Sequence, residues 1–154
     1  MPIISAPQLT QFTDSILQAA GVPAHKAAIA ARSLVASNLR GVDSHGIQLL
    51  TYYVDQLLAH EMDPLTDGEV VCESGACMVF DGHNGLGQWI AENCTGHAVR
   101  LAKAHGVGVV TARESNHFGA CAWWAQKMRD AGQTVFQVIE ENVIKLDCRI
   151  YRVL

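Results

Sequence analysis

Apolar residues recur at helical spacing in the first third of the chain and in short β-prone runs after it. Leu9, Phe12, Ile16 and Leu17 share one helical face. Ser5 stands before them as an N-cap, Pro7 suits a first turn, and Gly21 follows as a C′ glycine. A second, alanine-rich helix runs from Pro23 to about Leu39, with Gly41 behind it. Ile47, Leu50, Val54, Leu57 and Leu58 predict a third helix, entered through Asp43-Ser44-His45-Gly46.

The period then shortens. Glu69–Cys72 and Cys77–Phe80 read as two strands around the turn Glu73-Ser74-Gly75-Ala76. The glycine loop Gly82-His83-Asn84-Gly85-Leu86-Gly87 reads as a tight turn into a helix from Gln88 to His105. A strand over Val107–Thr111 precedes a polar turn, Ser115-Asn116-His117-Phe118-Gly119, and a helix from Ala120 to about Asp130 closed by Gly132. The order predicts a mixed α/β (α+β) fold: a helical segment, a hairpin, then helix–strand–helix. A last strand is expected near Thr134–Ile139.

The final 21 residues read differently. From Thr134 to Leu154 there is no glycine, alanine or proline, and eight residues are β-branched. The chain is therefore divided into residues 1–133 and a divergent tail, 134–154.

Composition narrows the function classes. Of 154 residues, 49% are hydrophobic and 17% charged, which excludes a disordered chain and gives about one domain. The net charge of −4 argues against nucleic-acid binding. No apolar run approaches a membrane span, and the N-terminus lacks a signal-peptide pattern. Five cysteines without CxxC spacing predict free thiols in a reducing compartment, so a cytoplasmic protein with no metal site is expected.

Two of the seven histidines stand apart. His45 and His117 each lie at a loop-to-helix junction beside a small polar residue, Ser44 or Asn116, with a glycine close behind. Helix N-termini offer free N–H donors and a positive field, which suits an anion and favours a neutral imidazole able to shuttle a proton. The plainer alternative makes Ser44 and Asn116 helix caps with the histidines beside them. The spacing Gly82, Gly85, Gly87 is G-x-x-G-x-G, not the dinucleotide fingerprint G-x-G-x-x-G. A serine hydrolase fares no better. Asp43, Ser44 and His45 are consecutive and cannot relay to one another, and there is no G-x-S-x-G elbow.

Four spaced segments carry a resemblance. Gly41-Val42-Asp43-Ser44-His45-Gly46-Ile47, Asp81-Gly82 with Gly85-Leu86-Gly87-Gln88, Ala104-His105-Gly106-Val107-Gly108 and Ser115-Asn116-His117-Phe118-Gly119 follow in order. Together they resemble the malate/L-lactate dehydrogenase family, which also contains ureidoglycolate and sulfolactate dehydrogenases and Δ1-piperideine-2-carboxylate reductase. The resemblance runs from about Ser5 to Gly132. It implies a non-Rossmann fold, a homodimer, and hydride transfer between NAD or NADP and a 2-hydroxy or 2-oxo acid, or a related imine. It implies His45 as proton donor and acceptor with Ser44 as its partner. It also implies cofactor contacts at His117, Phe118, Gly119, Ala120 and Cys121, and substrate contacts at Asn116 and His117. Leu49 stands where many members carry an arginine. Family chains are about twice as long on this resemblance, so a truncated fold with weak or no turnover is expected. A self-associating, non-catalytic derivative is the alternative.

Overall fold

The computed structural model describes residues 3–134. The strand expected over 134–139 and the divergent tail fall outside these residues, apart from Thr134.

Helix α1, Ala6–Ala19, begins with a reciprocal cap: Ser5 accepts from the Gln8 N–H, and the Gln8 side chain reaches back to Ser5. It packs on α2, Ala24–Leu39, through Leu17, Ala27, Ala30 and Leu34, where small alanines let the backbones approach. Two 3₁₀ turns, Asp43–His45 and Ile47–Leu49, then lead into α3, Leu50–Leu58. An α-helical start at Asp43 is not what forms. Gly46 is extended, and the N–H of Ile47 goes to the Asn38 side chain instead of back along a helix.

Strands β1, Glu69–Ser74, and β2, Cys77–Gly85, form the expected hairpin, with Ser74 opposite Cys77 and Gly75 left-handed in the turn. Helix α4, Gly87–His105, connects β2 to β3, Val109–Ser115, which pairs parallel to β2. The sheet order is β1-β2-β3. Met78 and Phe80 meet Ile90 and Leu101 in the core beneath α4, and Trp89 bridges this cluster to that of α1–α3. Helix α5, Cys121–Asp130, packs against α4. Its Lys127 pairs with Glu92 of α4.

The glycine segment is not a simple tight turn. β2 continues through it to Gly85, with His83 and Asn84 left-handed, and its register jumps from Asp81 opposite Arg113 to Gly85 opposite Ser115. The extra residues are accommodated as a bulge, and Gly82 passes close to the Glu114 carbonyl where a side chain would collide. β3 accordingly runs four residues past Thr111, because β2 supplies partners for its polar end.

The loop between α3 and β1 is held by Lys26, whose side chain is buried. Its Nζ donates to the carbonyls of Leu65 and Thr66, each at 2.7 Å, and lies 2.8 Å from the Asp67 carboxylate. Trp89 donates to the same carboxylate. A buried ammonium is stable only when its donors are this fully engaged.

Candidate active site

The 3₁₀ turn carrying Ser44 and His45 is anchored by Asn38 of α2. Asn38 Oδ1 accepts from the Ile47 N–H at 2.8 Å, and its amide donates to Asp43 Oδ1 at 2.6 Å. Gly46 backs directly onto that amide, leaving no room for a Cβ. The imidazole of His45 is thereby half-buried, with Ser44 Oγ 3.0 Å from its Nδ1. Ser44 is not a helix cap; Asn38 performs the local fastening.

His117 arrives from the turn after β3. The hydroxyl of Tyr53, on α3, lies 2.7 Å from His117 Nδ1, and the N–H of Gly119 points at the same nitrogen from 3.4 Å. The rings of His45 and His117 stand 5.6 Å apart, centre to centre, tilted by 34°. Two histidines that the sequence separates by 72 positions therefore share one site.

Gly87 makes this approach feasible. The carbonyls of Asn116 and His117 pass so close to its Cα that any Cβ would overlap them. Asn116 fastens the turn from the other side. Its amide nitrogen donates to Asn84 O at 2.9 Å and to Gly85 O at 3.0 Å, locking the end of β3 to the bulged end of β2. The Phe118 carbonyl accepts from Trp124 Nε1 at 3.0 Å. Gly119 is left-handed and buried, Ala120 and Cys121 are half-buried, and no side chain caps α5.

Burial pushes the Tyr53 phenol well above its ordinary value, so its proton stays on. The nearby Gln88 amide opposes this shift without forming a full hydrogen bond, and its nitrogen and oxygen find no hydrogen-bond partner among the described residues. Burial also raises the Cys121 thiol above its ordinary range, so Cys121 is no ready nucleophile.

All eight residues singled out from the sequence fall in the two segments that meet here. Three others escaped notice as site residues: Tyr53, Asn38 and Gln88. Tyr53 reads as one of a tyrosine pair, Asn38 as a helix-end polar residue, and Gln88 as a helix start. Each acts across a gap in sequence that no periodicity spans.

Residues 4–142 match the sequence profile described as malate/L-lactate dehydrogenase. The chain is similar to a malate dehydrogenase of Pyrococcus horikoshii, with 36% identity over 125 residues covering 81% of this chain and 35% of that protein. It is similar to an L-sulfolactate dehydrogenase of Methanocaldococcus jannaschii, with 38% identity over 111 residues covering 72% and 32%. The solved Pyrococcus horikoshii malate dehydrogenase superposes with a TM-score of 0.79 at 35% identity, covering 80% of this chain and 36% of that one. The matched part of this chain thus spans about a third of the length of these relatives. Among the described residues no helix is long and apolar enough to cross a membrane.

Proposed function

This chain belongs to the malate/L-lactate dehydrogenase family, and from that membership we propose that its site interconverts 2-hydroxy acids and 2-oxo acids with NAD or NADP. The observation that carries this reading is the 5.6 Å approach of the His45 and His117 rings. Two half-buried imidazoles facing one another offer an oxo group both a proton and a hydrogen bond.

The contacts support a role for each residue. His45 gives or takes the proton at the substrate oxygen, and Ser44 at its Nδ1 orients the ring. Asn116 has its amide nitrogen committed to β2, so its part in binding the acid is to hold the turn and present His117. The residues present fit a nicotinamide nucleotide in one respect: no side chain caps the N-terminus of α5, which begins at Cys121. A nucleotide held there would supply the hydride for reduction of a 2-oxo acid.

Titration of the full chain with NADH, NADPH and a 2-oxo acid tests the reading. Saturable binding of nucleotide and acid, the acid weakened about tenfold or more by His45→Ala, is expected. Absence of both from the unsubstituted chain overturns it.

A second reading, self-association without catalysis, is favoured by the exposure of Val70, Val71, Val107 and Val109 and by β1 and β3, the edge strands of the sheet among the described residues. Concentration-dependent size-exclusion behaviour without nucleotide binding would support it.

A further inference from the structure

We propose that Tyr53 is a positioning residue that holds His117 in one tautomer, with Nδ1 bare and the ring proton on Nε2. With His117 Nδ1 held as an acceptor, proton exchange in the pair is left to His45. This rests on the reading of the His45–His117 pair as the reacting site.

The argument begins at Gly119. Its backbone N–H points at His117 Nδ1 from 3.4 Å. A backbone N–H can donate and never accept, so Nδ1 must present its lone pair. The Tyr53 hydroxyl, 2.7 Å from the same nitrogen, must then donate as well, although a phenol can in principle play either part. Two donors converge on one nitrogen, and a neutral imidazole with Nδ1 bare carries its proton on Nε2.

The surroundings keep this arrangement in place. Tyr53 is wholly buried at the core of α1–α3, packed with Leu50 and Leu57 of its own helix, so its ring has one orientation. Its burial disfavours the phenolate, so the hydroxyl keeps the proton that it can donate. Gly119 keeps its N–H aimed at the ring because it is left-handed, a conformation that glycine adopts without strain. The neighbouring histidine differs. His45 Nδ1 meets a single hydroxyl, Ser44 Oγ, and a serine hydroxyl can turn to donate or accept. His45 can therefore change protonation state without breaking its contact, whereas protonating His117 at Nδ1 would set an N–H against the N–H of Gly119. The pair is asymmetric by construction: one imidazole is fixed in its tautomer and the other is not.

The test reads the tautomer directly, without cofactor or substrate. Long-range proton–nitrogen correlation spectra of the full chain, labelled with nitrogen-15 and assigned through a His117→Gln variant, distinguish bare Nδ1 from Nδ1–H. The unsubstituted chain is expected to show Nδ1 bare and Nε2 protonated. Tyr53→Phe keeps the buried ring and removes only the hydroxyl. It should move the tautomer ratio about fivefold or more toward Nδ1–H, the equivalent of one lost hydrogen bond. A proton on Nδ1 in the unsubstituted chain overturns the proposal, and that measurement needs no variant to fold. An unchanged ratio in folded Tyr53→Phe overturns it too. A locked tautomer in a chain that binds neither nucleotide nor 2-oxo acid would defeat the functional reading while leaving the Tyr53 lock standing.

Discussion

The Tyr53 hydroxyl and His117 Nδ1 meet at 2.7 Å across 64 positions of sequence. This contact ties the helical half of the domain to the turn after β3 and brings His117 to His45. The site exists because α3 packs where that turn ends, so changes remote from either histidine should alter it.

Gly87 and Gly96 lie on the same helix and should respond oppositely to alanine. At Gly87 a Cβ overlaps the backbone carbonyls of Asn116 and His117, which cannot move without displacing the turn. Gly87→Ala should cost about 1–3 kcal/mol, the usual range for overpacking, and weaken 2-oxo acid binding. At Gly96 nothing lies within 4 Å, and Gly96→Ala should stabilise by about 0.5–1 kcal/mol through helix propensity. Urea denaturation of both variants checks the contrast; equal effects would refute the packing account.

Asn38→Ala should loosen the turn that carries His45. It removes an acceptor from the Ile47 N–H and a donor from Asp43. The expected loss is about 1–2 kcal/mol of stability. The His45 ring resonances should broaden while those of β2 stay unchanged, as read by NMR.

Lys26→Met keeps the buried volume and removes the charge. The carbonyls of Leu65 and Thr66 would lose their donor. A loss of about 2–3 kcal/mol is expected, with faster amide exchange confined to the α3–β1 loop. A variant as stable as the parent would show that water replaces the ammonium freely.

Acid should destabilise the fold in a defined direction. The hydrogen bond from Lys26 holds the Asp67 carboxyl below its ordinary range, and Arg100 does the same for Glu73. Their folded values are depressed. Each therefore adds stability that is fully present above the unfolded carboxyl range, near pH 4, and lost as pH falls through the folded value. Both groups are exposed, so the effect is small and fades in salt. Urea midpoints measured downward from pH 6 should fall below about pH 4, and Lys26→Met should lose the Asp67 share of that slope.

Thiol reactivity should divide the cysteines. Cys72 and Cys77 are exposed on the hairpin, while burial pushes the Cys94 thiol up to about 11. A thiol-directed chromogenic reagent at neutral pH should label Cys72 and Cys77 in the native chain and Cys94 only after denaturation. Prompt native labelling of Cys94 would contradict the packing of α4 on the sheet.

Local physics was legible in the sequence. Ser5 as an N-cap, the apolar stripe of α1, the turn at Gly75 and the left-handed glycines at 21 and 132 all act within a few residues. Helix and strand order could be read from them directly. The convergence of Ser44-His45 with Asn116–Cys121 was suggested by resemblance and by junction chemistry, not by spacing. What only the tertiary structure decided is the set of long-range contacts. Tyr53 reaches His117, Lys26 is buried under the α3–β1 loop, Gly87 admits the His117 turn, and β2 runs on through its glycines. The physical reason is range. Caps, turns and periodicity depend on backbone conformation over one or two turns, whereas a buried hydroxyl or ammonium finds its partner only after separate elements have packed.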